Sequence, residues 1–171
     1  VLVWGRDPDK RTACAADIAE SGLLAAPADT VELICSECSV IVTTTAAVEP
    51  LLRSDWVHLG THITALGSDT PEKQELEVEL LARADRVVCD SLEQCLLRGE
   101  VSKALRAGAI EEAEVAELGA VLSGAAAGRA GDAHVRSLLL EGLVEPPPAA
   151  APGGGGGGGR GGGARGARGD R

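Results

Sequence analysis

The sequence lacks any apolar run of the length that a membrane span requires. About 20 consecutive apolar residues are needed to cross a bilayer, and charged residues, prolines or glycines interrupt every stretch of this 171-residue chain well before that. A basic segment followed by an apolar one, as in a secretory signal peptide, is also missing from the start of the sequence. We therefore expect no membrane association and a cytoplasmic location.

Basic residues are scarce, with 16 Lys and Arg against 26 Asp and Glu and a net charge of −10. Without residues 149–171, 12 basic and 25 acidic residues remain. This excess of acidic residues in 1–148 argues against nucleic acid or an anionic membrane as a partner. The segment 149–171 consists mainly of Pro, Ala, Gly and Arg and has no aromatic residue that could stack on a base. We expect this tail to be disordered.

A second Cys-x-x-Cys pair is also missing. Cys35 and Cys38 form one pair, whereas a structural zinc site takes four ligands. We therefore predict no metal site and interpret these two residues as small buried apolar side chains. The odd total of five cysteines indicates reduced thiols, which also fits the cytoplasm.

The sequence does contain an alternation of strand-like and helix-like segments. Strands are predicted at 1–4, 23–26, 39–44, 61–66 and 86–89, and helices at 8–20, 29–35, 49–56, 72–84, 91–98, 101–107 and 112–122, with a further short helix possible at 136–141. This order predicts the α/β class with a parallel sheet. We divide the chain into a folded domain at 1–128, a weakly structured segment at 129–148, and the tail at 149–171.

A carboxylate follows the strand at 61–66. Gly67-Ser68-Asp69 comes directly after this strand, and Thr70-Pro71 precedes the predicted helix. The carboxyl ends of parallel strands are where ligands bind in open α/β sheets. Asp69 could cap the helix, which is worth ~1 kcal/mol, or it could act as a general acid or base beside a ligand. The sequence leaves both roles open.

Two other strands end in residues that suit a dinucleotide. Gly5-Arg6 follows the first strand without a carboxylate at its end, which in a dinucleotide-binding fold favours NADP over NAD. Thr43 and Thr44 could hydrogen-bond a flat cofactor that lies close to the backbone. Alternatively, Arg6 is an exposed loop residue and the threonines are simply good strand formers.

Four stretches, in this order and spacing, resemble the ornithine cyclodeaminase/mu-crystallin family. They are Val-Trp-Gly-Arg-Asp-Pro at 3–8, Val-Ile-Val-Thr-Thr-Thr at 40–45, the segment from Gly60 to Leu76 with its Gly-Ser-Asp, and the segment 82–95 with Arg-Val-Val-x-Asp-Ser. The resemblance continues through Gly99-Glu100 and 117–119. It implies an incomplete Rossmann-type parallel sheet with flanking helices that binds NAD(P), with an amino acid or imine as substrate.

The resemblance also implies roles for individual residues. Asp69 falls on the family's acid/base group at the substrate amine, a position at which mu-crystallin-like members differ. Gly5, Arg6, Thr43 and Thr44 fall on cofactor-facing positions, and Ser68 lies near the nicotinamide. The implied reaction is hydride transfer at an amino-acid α-carbon by a cyclodeaminase or dehydrogenase; the alternative is a non-catalytic, NADP-binding protein like mu-crystallin.

Parts of the family pattern are unmatched. The substrate domain, through which family members form homodimers, has no counterpart in this sequence, and neither has the first Rossmann strand with its Gly-x-Gly-x-x-Gly turn. We therefore expect this chain to be a fragment of the NAD(P)-binding domain and to be inactive alone.

Overall fold

A computed structural model describes residues 1–128 and, for the backbone only, residues 136–139. The strands are β1 (Leu2–Val3), β2 (Ala26–Pro27), β3 (Val40–Thr43), β4 (His62–Ala65), β5 (Arg86–Cys89), β6 (Val115–Glu117) and β7 (Arg136–Leu139). The helices are α1 (Pro8–Glu20), α2 (Val31–Glu37), α3 (Val78–Ala82), α4 (Leu92–Cys95), α5 (Gly99–Arg106) and α6 (Leu118–Leu122), with a 3₁₀ turn at Glu112–Glu114.

The strands form two parallel sheets. β1 pairs with β2, and a five-stranded sheet has the order β3-β4-β7-β5-β6. Parallel pairing requires a crossover connection between successive strands. Helices provide it everywhere except between β3 and β4, where residues 44–61 form turns and bends. The predicted α/β class and the incomplete parallel sheet are confirmed.

The core lies against the five-stranded sheet. Buried and more exposed residues alternate along β3 and β4, so that Ile41 and Ile63 are buried on the same face. The core is completed by Leu80 and Leu81 of α3 and by Val101 of α5. Within the part of the chain that the structure describes, no helix is both long and apolar enough to cross a bilayer.

Helix α1 begins as the sequence predicts. Pro8 occupies its first turn, and the Asp7 side chain caps the helix by accepting hydrogen bonds from the backbone N–H groups of Asp9 at 3.0 Å and Lys10 at 3.2 Å. Arg11 then donates to the carbonyl oxygen of Ala28 at 2.9 Å. The turn between β1 and α1 is therefore fixed mainly by the cap that follows it.

The helix predicted at 72–84 is much shorter, because α3 begins only at Val78. Residues 74–77 instead lie extended beside the segment 47–52. The N–H of Gln74 donates to the carbonyl of Ala47 at 2.8 Å, and the carbonyl of Glu75 accepts from the N–H of Leu51 at 2.7 Å. These long-range hydrogen bonds override the local preference for helix.

Other helix predictions also fail where strand pairing competes. Residues 112–122 do not form one helix, because Val115–Glu117 pairs with β5. Residues 136–139 form β7, inserted between β4 and β5, rather than part of a short helix. Residues 49–56 form turns and one bridge between Leu52 and Leu76 instead of a helical turn. The helix predicted at 29–35 exists as α2, but Thr30 caps it.

Candidate functional site

The carboxyl ends of β1 and β3 open onto a common cleft. Its volume is about 260 Å³, and its lining comprises Trp4, Gly5 and Arg6 after β1 together with Thr45, Ala47, Val48, Glu49 and Leu51 after β3. Arg6 is exposed and Gly5 is half-buried. The structure thus brings the predicted Gly5-Arg6 turn against the loop that follows Thr43 and Thr44.

A larger apolar cleft of about 620 Å³ separates the two sheets. It lies between β1 and β3, and Thr43, Thr44 and Thr45 line it together with Val3 and Val42. In the described residues, no strand pairs with the edges of β1 and β3 that face away from β2 and β4. The predicted cofactor-facing threonines therefore lie beside the gap in the sheet.

Glu75 connects the loops that follow β3 and β4. Its side chain is 0% exposed and accepts three hydrogen bonds. The Thr43 hydroxyl donates at 2.6 Å, the Thr45 N–H at 2.5 Å and the Gly67 N–H at 2.9 Å. Two of these donors follow or end β3 and one follows β4. A single carboxylate therefore links the two loops just beyond the last paired residues of β3 and β4.

Glu100 supports the same loop from α5. Its carboxylate accepts hydrogen bonds from the Ser68 hydroxyl, from the Glu75 N–H at 2.6 Å and from the Leu76 N–H at 3.2 Å. Burial raises the pKa of the Glu100 carboxyl, and these three hydrogen bonds oppose that rise. The loop after β4 is thus held from both sides by buried carboxylates.

Gly67 lies in direct contact with the loop after β3. A Cβ atom on residue 67 would be 2.1 Å from the carbonyl oxygen of Thr45 and 2.5 Å from its nitrogen. Both are backbone atoms, which cannot move aside as a flexible side chain would. Glycine is required here for the close approach of two loops.

Asp69 points a carboxylate toward solvent at this edge of the sheet. Its side chain is 45% exposed, and the Lys73 ammonium donates to its Oδ1 at 2.5 Å. This hydrogen bond and the charge of Lys73 lower the pKa of the Asp69 carboxyl, while burial opposes the effect. The N-cap alternative is wrong, because the N-cap position of α3 is Glu77 and Asp69 lies eight residues before Glu77. Asp69 is an accessible, ionised carboxylate.

The predicted site residues differ in whether solvent can reach them. Asp69, Arg6 and Thr44 are reachable from solvent. Thr43 and Ser68 are buried, and their hydroxyl hydrogens are directed at Glu75 and Glu100. Toward a ligand, these two hydroxyls can therefore act only as acceptors.

Sequence analysis gave Glu75 and Glu100 no role, although both lie in segments that carry the family resemblance. The sequence signal that could have identified them is the residue that follows. Each glutamate directly precedes an apolar residue, Leu76 or Val101, which is fully buried in the structure. A charged residue beside the core is unusual unless hydrogen bonds compensate its burial.

Of the two cysteines predicted to be buried, Cys35 is buried and Cys38 is only partly buried. In the described part of the chain, no group of three or more potential ligands is arranged to hold a metal ion. Burial raises the pKa of the Cys35 thiol to about 11, so it remains protonated at neutral pH.

The chain is similar to several known proteins in sequence and in fold. A sequence model of the ornithine cyclodeaminase/mu-crystallin family matches residues 1–139. The iminosuccinate reductase of Paracoccus denitrificans is 43% identical over 137 residues, which are 79% of this chain and 41% of that protein. Its crystal structure in complex with NAD⁺ superposes with a TM-score of 0.74 at 36% identity, covering 82% of this chain and 42% of the relative.

Two further structures are similar. An archaeal alanine dehydrogenase dimer with bound NAD gives a TM-score of 0.74 at 34% identity, covering 82% of this chain and 42% of the dehydrogenase. A lysine cyclodeaminase that recognises L-lysine, L-ornithine and L-2,4-diaminobutyric acid gives 0.67 at 30% identity, covering 82% and 40%. The chain therefore spans about two fifths of the length of these relatives.

Proposed function

Because the chain belongs to the ornithine cyclodeaminase/mu-crystallin family, we propose that it is part of a longer NAD(P)-dependent enzyme. The reaction is hydride transfer at the α-carbon of an amino acid or of the corresponding imine. The iminosuccinate reductase, alanine dehydrogenase and lysine cyclodeaminase relatives support this reaction class. The substrate domain and the homodimer contacts belong to the longer protein, and the 171-residue chain is inactive alone.

The position of Asp69 carries this proposal. It follows β4 at the carboxyl edge of a parallel sheet, where ligands bind. The hydrogen bond from Lys73 lowers the pKa of its carboxyl below the ordinary Asp value, and nearly half of the side chain remains exposed. An ionised carboxylate in such a place can accept a hydrogen bond from the amine of an amino acid or accept a proton from water.

The cleft beside Gly5 and Arg6 fits the ribose end of a dinucleotide. Gly5 leaves space next to the backbone, and the exposed Arg6 makes no ion pair with any described residue. A guanidinium here would bind a 2′-phosphate, so NADP is favoured, although the neighbouring Asp7 and Asp9 oppose an anion. A bound nicotinamide would supply or accept the hydride.

The residues after β3 and β4 would support the other end of the dinucleotide. Thr44 is exposed beside the gap in the sheet, whereas Thr43 and Ser68 offer hydroxyl oxygens as acceptors. We keep Thr43, Thr44 and Ser68 as proposed cofactor-binding residues on these grounds.

Asp69→Asn in the longer protein tests the proposal. The change removes the proton acceptor but keeps the size of the side chain, so turnover of an amino acid or imine should fall by roughly 10²–10⁴-fold. Loss of the partly exposed ion pair with Lys73 should cost less than about 1 kcal/mol of stability. Oxidation or reduction of the nicotinamide gives turnover by absorbance, and thermal unfolding gives stability.

Asp17→Asn is the matched control, because Asp17 is an exposed carboxylate on α1 that lines neither of the two clefts. It should leave turnover unchanged. Near-wild-type turnover in Asp69→Asn would rule out the catalytic role of Asp69. A longer protein that binds NADP without turning over any amino acid or imine would favour the non-catalytic, mu-crystallin-like alternative.

A further inference from the structure

Glu75 is a buried carboxyl group for which the described residues provide no cationic partner. In the part of the chain that the structure describes, none of its ion pairs includes Glu75, and its side chain is fully enclosed. Burying a carboxylate is costly unless hydrogen bonds replace its hydration. An apolar residue would avoid that cost only by leaving the three donors to this carboxylate without an acceptor. The charge at this position therefore needs an explanation beyond packing.

The arrangement of its hydrogen bonds provides one. Oε1 accepts from the Thr45 N–H, whereas Oε2 accepts from the Thr43 hydroxyl and the Gly67 N–H. Every donor lies at the carboxyl end of β3 or β4. Only a group with two acceptor oxygens can satisfy all three donors, because a glutamine in either orientation would present its NH₂ to a backbone N–H.

Glu100 extends this arrangement to the next loop. It accepts from the N–H of Glu75 itself and from the hydroxyl of Ser68, which directly precedes Asp69. The two carboxylates thus connect the end of β3, the loop after β4 and the start of α5. The exposed groups at this edge, Thr44 and Asp69, are each adjacent in sequence to a residue that one of the glutamates binds.

We propose that Glu75 is the positioning residue of the site, with Glu100 as its support. Its carboxylate fixes the distance between the loop that would face the cofactor and the loop that presents Asp69. The catalytic consequence of this inference rests on the proposed function. Its structural content, which is the set of hydrogen bonds that Glu75 accepts, concerns the described residues alone. Glu75 does not touch the reacting atoms; it acts through Thr45 and Gly67.

Amide NMR on the full 171-residue chain tests the structural content. Charge-assisted hydrogen bonds should shift the amide protons of Thr45 and Gly67 strongly downfield and protect them from exchange. In Glu75→Gln, both signals should move upfield, and their exchange should accelerate by about tenfold or more as charged acceptors are replaced by a neutral amide. Glu79→Gln on the exposed side of α3 is the matched control and should change neither amide.

Thr43→Val keeps the test decisive if Glu75→Gln unfolds the chain. It removes one donor without changing the side-chain shape, so the Gly67 amide, which shares Oε2 with Thr43, should respond more than the Thr45 amide. Wild-type amides that are neither shifted nor protected would overturn the proposal, as would identical amide shifts in wild type and the substituted chains.

The catalytic consequence is measured separately in the longer protein. Glu75→Gln should raise the KM for the nucleotide by about tenfold, because it leaves one buried N–H of the two loops without an acceptor, while Glu79→Gln should not. If the amide result holds but the wild-type longer protein shows no turnover, the proposed function fails and the positioning of the loops stands. If turnover is present and the KM does not change in Glu75→Gln, the positioning role is overturned.

Discussion

The turn after β1 and the loop after β4 both carry predicted site residues, but they are held in different ways. In the turn at Gly5-Arg6, Arg6 is exposed, and Asp7 directly after it caps α1. The loop at Gly67-Ser68 touches the neighbouring strand end and is bound by two buried carboxylates. The first region is built from residues close in sequence, and the second from contacts between distant segments.

This difference suits two tasks. An exposed arginine on a locally capped turn can adjust its side chain to the 2′-phosphate of a dinucleotide. A carboxylate that moves a proton must lie within hydrogen-bond reach of its partner atom, so its loop needs firm support. The structure places the stronger restraints beside Asp69, which is the residue that we propose to act on the substrate.

The largest effect on stability should separate the two loops directly. Gly67→Ala would force a Cβ atom into the backbone of Thr45, and overpacking of this kind costs about 3 kcal/mol. Gly5→Ala is the matched change in the other loop, where the nearest atom is the Arg11 Cβ at an ordinary 3.9 Å. It should cost under about 1 kcal/mol. Urea unfolding of both variants measures the difference, and equal costs would contradict the close contact.

A smaller effect should distinguish the cofactors at the turn after β1. Arg6→Ala in the longer protein should weaken NADP binding about ten- to a hundredfold, because a charge-assisted contact with the 2′-phosphate is worth roughly 1.5–3 kcal/mol. NAD, which lacks this phosphate, should lose much less. Titration calorimetry with both dinucleotides measures the ratio. Equal losses would mean that Arg6 is only an exposed loop residue.

The same contrast explains what the sequence could predict. The start of α1 at Pro8 and the strands at 39–44 and 86–89 were predicted closely, because capping and β-branched patterns are local signals. The helix expected at 72–84 shrank to Val78–Ala82, since the preceding residues bond to the segment after β3. The strand at 136–139 was missed for a similar reason: its pairing partners lie far away in sequence.

The candidate site follows the same rule. Sequence reasoning selected Asp69 and Arg6 from their positions after strands, and the structure leaves both accessible at the carboxyl edge. It could not identify Glu75 as a shared acceptor, because three donors from two loops meet there only after folding. Sequence reasoning also left a helix cap open as a role for Asp69. This role is wrong because the helix begins at Val78 and not directly after Asp69.

The smallest expected effect concerns the pair formed by Lys73 and Asp69. Lys73→Met removes the donor that lowers the pKa of Asp69, so this pKa should rise, and the NMR titration of the Asp69 carboxyl carbon should show it. Because the folded-state pKa is depressed, the pair stabilises the fold above the ordinary Asp pKa of 3.8, and this contribution is lost as the pH falls through the lower, folded-state value. With Asp69 45% exposed, the contribution at neutral pH should be below about 1 kcal/mol. Lys10→Met, on the exposed face of α1, is the matched control and should leave the titration unchanged. A carboxyl titration in Lys73→Met that coincides with wild type would mean that the ion pair does not lower the pKa of Asp69.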